Sequence, residues 1–279
     1  SLNLNTDLRK KFSIDPNVVF LNHGSYGSIP TGVRTIQQAW TNAFDRQPIQ
    51  FFDHFFPYMA SSIRCVADFI NVEPANIVLV PNATTATKTV LNNLNIQASD
   101  TILVTSLMYD AVDCTVGEIS SRIGCTINVL TLTVPTSPKA IIDAFANYFK
   151  TCTKLPRLAI LDHITSATAL VFPIKEIVQI CRNYGVLTIV DGAHAVGSVP
   201  IDLKGLECDF YFSNLHKWSF TPIGTAFLYV HPKHQESFRP LLVSYGYPLG
   251  FQAEFMYVGT MDYTPYLTID AGIAFYQSI

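Results

Sequence analysis

The sequence predicts an α/β fold built on one doubly wound, mostly parallel sheet with helices on both faces. The first observation is an alternation, between positions 76 and 230, of short apolar runs typical of buried strands with stretches of helical spacing. The second is that no repeat or low-complexity linker interrupts this alternation. The third is composition, because 279 residues that are 49% hydrophobic and 14% charged can enclose a substantial core.

The individual elements follow from the spacing of apolar residues. Ser137-Pro138 is a typical helix cap and first turn, and Gly185 is suited to end a helix. A loop is predicted at 255–260. Strands are predicted at 76–80, 101–105, 126–132, 157–163, 187–190, 209–212 and 224–230. Helices are predicted at 32–45, 51–69, 137–150, 173–184 and 266–279, and another opens at Ala83.

The helix that opens at Ala83 has a start suited to an anion. Ala83, Thr84 and Thr85 follow a predicted strand directly. A helix start of small hydroxyl residues offers backbone N–H groups, side-chain donors and the positive end of the helix dipole, all of which favour a phosphate. Simple N-capping explains one threonine and leaves the rest of the run unexplained.

Charge and cysteine content narrow the function classes. The formal net charge is −3 and the basic residues form no cluster, so neither nucleic acid nor an anionic membrane is an expected partner. No apolar run approaches the roughly 20 residues of a membrane helix, and residues 1–7 lack a secretory profile. We expect a cytoplasmic location by default, with an organelle left open. The six cysteines show no CxxC spacing, which predicts free thiols without metal.

One pair of residues predicts a specific chemistry. Asp191 ends one apolar strand and Lys217 follows the next, 26 positions later, so both side chains should reach the carboxyl edge of the sheet. Pyridoxal phosphate needs such a pair, an amine for a Schiff base and a carboxylate that keeps its ring nitrogen protonated. Spacing alone leaves open an ordinary exposed lysine near an ordinary strand-end aspartate.

Four motifs carry a family resemblance. They are LNHGSYG at 21–27, VDGAHAVG at 190–197, NLHKW at 214–218 and VGTMD at 258–262. Together they resemble the class V aminotransferases, the fold-type I pyridoxal-phosphate group that contains cysteine desulfurases, and in particular the isopenicillin N epimerase-like branch. The resemblance spans nearly the whole chain. It implies the large domain of a fold-type I pyridoxal-phosphate-dependent transferase, with a seven-stranded sheet whose last strand is antiparallel.

The resemblance also implies roles for single residues. Lys217 would form the Schiff base, Asp191 would hold the ring-nitrogen proton, and His194 would approach the ring's 3-oxygen. Tyr109 falls where desulfurases carry a histidine that stacks on the ring; a buried core tyrosine is the alternative. The other implied cofactor contacts are Ala83, Thr84, Thr85, Ser166, Ser213, Asn214, His216 and Thr260.

The implied substrate contacts lie in the first motif. They are His23, Gly24 and Ser25; the alternative is an ordinary loop before the helix that starts near Pro30. The chain departs from the family pattern at two cofactor positions. Ser166 stands where desulfurases have asparagine, and Asn214 stands where the family has serine.

The resemblance implies a division of the chain and a partner. We expect an N-terminal arm and active-site loop at 1–30, a cofactor-binding large domain at 31–262 and the start of a connecting helix at 263–279. In the family, a smaller C-terminal domain holds an arginine for the substrate carboxylate. We expect that domain to be absent from the 279 residues, which would make them a fragment. In the family, the threonine that corresponds to Thr260 reaches the other subunit's phosphate across a two-fold axis, which implies a homodimer.

The function expected from these features is that of a pyridoxal-phosphate-dependent enzyme acting on an amino acid, most closely a C–S lyase or desulfurase. Once the substrate displaces it, Lys217 would serve as the general base for the α-proton. The alternatives in the same family are an epimerase and an aminotransferase. From other classes, the alternatives are a truncated, non-catalytic cofactor-binding remnant and a nucleotide-binding domain, for which no GxGxxG follows a strand.

Overall fold

A computed structural model describes residues 6–279. Its described part contains one sheet of seven strands in the order β1-β7-β6-β5-β4-β2-β3. Strands β2 to β6 are parallel, whereas β7 is antiparallel to both of its neighbours, β6 and β1. In chain order, β1 to β7 are Ile77–Val80, Thr101–Thr105, Thr126–Leu130, Leu158–Asp162, Leu187–Asp191, Phe210–Asn214 and Ala226–Val230. The predicted mostly parallel sheet with an antiparallel last strand is confirmed.

Helices lie before β1, in the connections between the strands and after β7. Three 3₁₀ turns also occur in the described residues, at Pro74–Asn76, Pro232–His234 and Tyr266–Thr268. In chain order, α1 to α13 are Thr6–Arg9, His23–Tyr26, Thr31–Arg46, Pro48–Asp53, Phe55–Phe69, Ala83–Asn93, Asp110–Ile123, Pro138–Thr151, Ile174–Asn183, Leu203–Leu206, Leu215–Trp218, Phe251–Met256 and Ile269–Gln277. None of the described helices is long and apolar enough to cross a membrane.

The sheet is covered on both faces, as predicted. Side chains alternate along each strand, so Tyr211 packs into one core while its neighbours Phe210 and Phe212 pack into the other. The first core includes Phe145 of α8 and other side chains of α5, α9 and α13, and the second includes Val90 of α6 and side chains of α7. This burial makes the sheet a rigid support for groups at its edge.

The carboxyl edge of the sheet is where these strands deliver polar residues. Strands β4 and β5 end at Asp162 and Asp191, which are partners in the parallel register. Strand β6 ends at Asn214, and Ala226 lies opposite it because β7 runs in the other direction. The end of each parallel strand therefore contributes to one shared edge.

Some predicted boundaries are wrong. The single helix predicted over 51–69 is two helices, α4 and α5, because Pro57 has no N–H and its ring would clash with the carbonyl of Asp53 in a continuous helix. The loop predicted at 255–260 begins within α12, where Phe251 and Phe255 both pack on Phe238. The structure also adds α7, which was not predicted. The first five residues of the predicted arm at 1–30 lie outside the described residues.

Two predicted helix caps are observed. The Ser137 side chain accepts a hydrogen bond from the Ala140 N–H at 3.2 Å, so it caps α8 as predicted. Helix α9 ends at Asn183 and Tyr184 is its C-cap. The next residue, Gly185, has a φ of 70°, which is the left-handed conformation expected there. These caps fix the lengths of two helices that connect strands of the site.

Candidate active site

Two adjoining cavities open at the carboxyl edge of the sheet. The inner cavity, of about 100 Å³, is lined by the ends of β4, β5 and β6 and by the start of α6. The outer cavity, of about 490 Å³, is lined by the α2 segment and by loops that follow β4 and β5. The residues shared by both are Ser25, Tyr109, Ile164, Ser166, His194 and Lys217.

A short helix fixes the position of Lys217. Helix α11 follows β6 immediately, and the Leu215 and His216 N–H groups both donate to the Thr225 carbonyl, at 3.0 and 3.3 Å. The His216 ring donates from Nδ1 to the same carbonyl at 2.9 Å. On the other side, Gly27 lies so close that a Cβ there would be 1.9 Å from the His216 carbonyl oxygen. The backbone of the lysine is therefore held from both sides.

The Lys217 amine is enclosed beside a histidine. The residue is 7% exposed, and its Nζ lies 3.0 Å from His194 Nε2. Its Nζ also lies 6.0 Å from the centre of the Tyr109 ring. Burial lowers the pKa of Lys217, and the negative charge of Asp191 opposes this shift. A lowered pKa increases the fraction of neutral, nucleophilic amine.

Two carboxylates lie side by side in the inner cavity. Burial raises the pKa of Asp191 to about 6, although its Oδ1 accepts a hydrogen bond from the Ala193 N–H at 2.8 Å and Lys217 also favours its charged form. Burial, together with the negative charge of Asp191, raises the pKa of Asp162 to about 8. Asp162 therefore keeps a proton at neutral pH while Asp191 is mostly ionised.

His194 is a neutral imidazole between the Trp218 indole and the Lys217 amine. Burial is the main cause that lowers the pKa of His194 to about 4, and an ammonium at Lys217 would act in the same direction. The Trp218 indole Nε1 lies 3.5 Å from His194 Nδ1, and Lys217 lies at Nε2. The side chain can thus accept a proton at one ring nitrogen and donate one from the other.

The start of α6 forms the far wall of the inner cavity. The Asn82 side chain caps the helix by accepting from the Thr85 N–H at 2.8 Å. The Ala83 N–H donates to the Asn214 side chain at 2.9 Å, which ties this helix to the end of β6. Thr84 lines the cavity next to them. An 11-residue helix that points its N-terminus into a cavity favours a bound anion there.

Comparison with known proteins establishes the family. The family model described as "Aminotransferase class-V" matches residues 39–249. The chain belongs to the class-V aminotransferase family. The match covers all seven strands, including the strand ends that line the cavities, so the class-V assignment and the observed fold agree.

Curated relatives of this member of the class-V family have several activities in their names. A putative L-cysteine desulfhydrase 1 from Oryza sativa subsp. japonica is 35% identical, over 94% of this chain and 58% of its own length. An isopenicillin N epimerase from Streptomyces clavuligerus is 30% identical, over 86% of this chain and 60% of its own length. The chain spans about 60% of the length of the curated relatives it matches.

Solved structures support the fold-type I assignment. A variant of C-DES with glycine covalently linked to its pyridoxal-phosphate cofactor superimposes with a TM-score of 0.87 at 28% identity, covering 97% of this chain and 74% of that chain. The cystine C–S lyase C-DES in complex with its reaction product cysteine persulfide gives a TM-score of 0.84, also at 28% identity, covering 94% and 73%. The fold of the class-V chain is therefore that of pyridoxal-phosphate enzymes.

Most residues predicted for the site lie on the two cavities of this class-V protein. The predicted substrate residues Gly24 and Ser25 line the outer cavity, beside Trp218. The predicted cofactor residues on the inner cavity are Ala83, Thr84, Tyr109, Ser166, Asp191, His194, Asn214, His216 and Lys217. The strand ends bring together residues separated by as many as 131 positions, such as Ala83 and Asn214.

The structure does not place four predicted residues on these cavities. Ser213 is buried and donates to the Gly192 carbonyl at 2.6 Å, because alternation along β6 turns it away from the side that Asn214 faces. The Thr85 N–H is taken up by the cap of α6. His23 hydrogen bonds with the backbone of Ser28, and its ring packs among Phe12, Phe20 and Phe220. Thr260 is exposed and hydrogen bonds with the Tyr257 hydroxyl at 3.0 Å.

Two of the cavity residues that were not predicted as part of the site lie next to predicted ones. Asp162 ends β4 as Asp191 ends β5, and the repeated pattern of an apolar strand followed by aspartate is a signal that could have found it. Trp218 directly follows Lys217 but reaches back to His194, which the sequence does not reveal. Within the described residues, no group of His, Cys, Asp or Glu is arranged to hold a metal ion.

Proposed function

We propose that the inner cavity binds pyridoxal phosphate covalently through Lys217, and that the protein is a C–S lyase acting on a cysteine-like amino acid. The observation that carries this proposal is the convergence, in one cavity, of the buried Lys217 amine, the Asp191 carboxylate and the N-terminus of α6. An amine, an anion and an anion-binding helix start match the aldehyde, the ring nitrogen and the phosphate of the cofactor.

The lining residues fit this group chemically. Asp191 would hold the ring-nitrogen proton, and its partial ionisation is maintained by Ala193 and Lys217 against the effect of burial. His194 and Ser166 would contact the ring oxygen, and Tyr109 would cover a ring face. Ala83, Thr84, Asn214 and His216 would surround the phosphate. When bound, pyridoxal phosphate withdraws electrons from the bonds of the amino acid's α-carbon.

The side chains of this chain would then handle the protons. Burial favours the free amine of Lys217, which can act as a nucleophile toward a carbonyl and later as a general base at the α-carbon. His194 Nε2, 3.0 Å away, can exchange a proton with that amine. The walls of the two cavities also restrict the access of water to the amine.

The outer cavity has a mixed lining. Its walls include apolar side chains, such as Leu21, Val171 and Val199, and the hydroxyls of Ser25 and Ser198. A thiol or thioether can contact both kinds of side chain. The desulfhydrases and the cystine lyase among the relatives support the C–S lyase over the alternatives.

Epimerisation is the second candidate, favoured by the likeness to isopenicillin N epimerase. Both reactions begin with removal of the α-proton, so their products distinguish them. Assays for sulfide, pyruvate and racemised amino acid, with cysteine, cystine and other amino acids as substrates, separate lyase from epimerase. The absence of all three products would favour aminotransfer or a non-catalytic remnant that only binds cofactor.

The test of cofactor binding is covalent trapping. After loading with pyridoxal phosphate and reduction with borohydride, we expect mass spectrometry to find the pyridoxyl group on the peptide that contains Lys217. Lys217→Ala should carry none, while the exposed Lys175→Ala should behave as the wild type. Equal labelling of all three proteins would contradict the proposal, because it would reflect non-specific reaction of surface lysines.

We also propose a homodimer in which Thr260 reaches the cofactor of the partner subunit. Thr260 is exposed and lies outside both cavities of its own chain, so a second copy can reach it. For the chain itself, we propose an arm and loop at 1–30, a cofactor-binding domain at 31–262 and a connecting helix from 263. The proposed compartment is the cytoplasm; an organelle is the alternative, since one relative is described as chloroplastic.

A further inference from the structure

Three side chains form a line along one wall of the outer cavity. The Trp218 indole Nε1 lies 3.5 Å from His194 Nδ1, and His194 Nε2 lies 3.0 Å from Lys217 Nζ. The imidazole is thus contacted at one ring nitrogen by the indole and at the other by the amine.

Counting protons along this line gives a unique arrangement. An indole N–H can only donate, so His194 Nδ1 must accept and carries no proton. A neutral imidazole then has its single proton on Nε2. Because Nε2–H points at Lys217, the amine must accept this hydrogen bond with a lone pair, which an ammonium group does not have.

We propose that Trp218 is a positioning residue that fixes the Nε2-protonated tautomer of His194 and thereby holds Lys217 as a free amine. An ammonium at Lys217 would instead donate to Nε2, move the ring proton to Nδ1 and set it against the indole N–H. The two arrangements exclude each other, and the indole selects the first.

Close packing keeps the indole in the position that this role requires. A Cβ on Gly24 would lie 2.9 Å from the Trp218 ring and 3.3 Å from His194, so the backbone of α2 lies against both rings. On the other side, Gly197 has a φ of 86°, and a Cβ there would lie 2.6 Å from the Trp218 carbonyl. The indole has little room to turn away from His194.

The other groups that face Lys217 act in both directions. Asp191 favours the ammonium, but burial has the larger effect and lowers the pKa of Lys217 overall. Asp162, on the adjoining strand, keeps a proton at neutral pH because its pKa is raised to about 8. The His216 Nδ1 donates to the Thr225 carbonyl, and Tyr109 presents its ring face 6.0 Å from the amine.

The consequence for catalysis rests on the proposed function. A lysine held as a free amine can react with an aldehyde at neutral pH without first losing a proton to solvent. Once Lys217 has reacted, the Nε2–H of His194 would be free to donate to the ring oxygen of the cofactor. The tautomer itself is a property of this chain and can be measured without cofactor.

The chain offers a matched control, because it contains only two tryptophans. Trp40 packs against Phe51 and Tyr58, apart from both cavities. We therefore compare the wild type, Trp40→Phe, Trp218→Phe, and the Trp40→Phe protein in which the remaining indole is replaced by benzothiophene during expression. The last protein keeps the shape of the Trp218 side chain and loses only its N–H.

The measurement is the ¹⁵N spectrum of histidine-labelled protein without cofactor, with the His194 signals assigned from their loss in His194→Gln. We expect the Nε2–H pattern in the wild type and in Trp40→Phe. Trp218→Phe and the benzothiophene protein should shift toward Nδ1–H, with a rise in the pKa of Lys217 measured from labelled lysine. An Nδ1–H pattern in the wild type, or an unchanged pattern in the benzothiophene protein, would overturn the proposal.

Discussion

Three ionisable side chains line one cavity of about 100 Å³, namely those of Asp162, Asp191 and Lys217. Burial disfavours the charged form of each, so the carboxylate pKa values rise while the amine pKa falls. Asp191 can remain ionised because Ala193 donates to it and Lys217 lies nearby. Asp162 has weaker support and therefore becomes the protonated member of the pair. The different surroundings thus assign different protonation states to two chemically identical side chains.

The first prediction concerns the pH dependence of stability in Asp162→Asn. A carboxyl whose folded pKa is raised from 3.8 to about 8 contributes stability that is fully present below about pH 4 and is lost as the pH rises through about 8. The variant cannot ionise, so its free energy of unfolding should rise relative to the wild type over this range. The expected relative gain is at most ~1.4 kcal/mol per pH unit. Urea denaturation at several pH values measures it.

Asp209→Asn is the control with the opposite sign. Burial raises the pKa of Asp209, but hydrogen bonds from His234 and Lys233 outweigh this effect and hold the pKa below its usual value. Asp209 therefore contributes stability that is lost as the pH falls, and the variant should lose stability relative to the wild type mainly at neutral pH. If the free energies of unfolding of both variants, relative to the wild type, changed with pH in the same direction, the assignment of Asp162 as the protonated member would be contradicted.

At the scale of elements, α2 and α11 meet through a backbone contact as well as through the Trp218 ring. Gly27 has a φ of 77° directly after α2, and its Cα faces the His216 carbonyl. Glycine is required there both for the positive φ and for the close approach. The contact holds the α2 segment, which lines the outer cavity, against the turn that bears the lysine.

The second prediction is that Gly27→Ala destabilises the fold and weakens cofactor retention. The added Cβ would lie 1.9 Å from the His216 carbonyl oxygen, so one of the two segments must move. We expect a loss of about 2 kcal/mol or more in the free energy of unfolding, from strain and displaced backbone. Urea denaturation and the amount of borohydride-trapped cofactor provide the two readouts.

Gly32→Ala is the matched control within α3. A Cβ at Gly32 meets no atom within 4 Å, and alanine is favoured over glycine in a helix, so this variant should be stabilised by up to ~1 kcal/mol. If the two alanine variants had the same stability, the backbone contact between α2 and α11 would not constrain the fold.

The elements that the sequence predicted well are those set by local pattern. Apolar runs followed by polar residues predicted β5 and β6 with Asp191 and Lys217 at their ends, and Ser137 predicted the start of α8. What failed depends on three-dimensional packing. The direction of the Ser213 side chain depends on the register within β6, and the burial of the His23 ring depends on Phe12 and Phe220 from distant segments.

At the scale of the whole molecule, the site is assembled from distant parts of one chain and, in the proposed dimer, from two chains. Strand ends between Asp162 and Asn214 supply the chemistry, while α6 and α2 close the cavities from earlier parts of the sequence. Thr260 lies on neither cavity of its own chain. The proposed dimer gives this exposed residue a function.

The third prediction uses hybrid dimers of Thr260→Val and Lys217→Ala subunits. We expect each homodimer to retain little cofactor after dialysis and borohydride reduction. In the hybrid, the Thr260→Val subunit keeps Lys217 and receives an intact threonine from its partner, so one site per dimer should trap cofactor. The label should lie only on the Thr260→Val chain.

The two variants are given tags of different mass, so that mass spectrometry identifies which chain carries the label. A hybrid that traps no more cofactor than the separate homodimers would contradict a contribution of Thr260 across the interface. Sedimentation of each sample shows whether dimers form at all, so a failure to assemble is distinguished from a failure of Thr260.

The antiparallel direction of β7 also affects how slowly the backbone amides of the lysine-bearing turn exchange their hydrogens with solvent. Because β7 runs against β6, the Leu215 and His216 N–H groups donate to the carbonyl of Thr225, the fully buried residue just before β7. These amides can exchange their hydrogens for deuterium only when the contact between α11 and the start of β7 opens. We expect the 213–218 peptide to exchange as slowly as β5, and far more slowly than α2. The reactive amine would thus be attached to a slowly exchanging part of the fold.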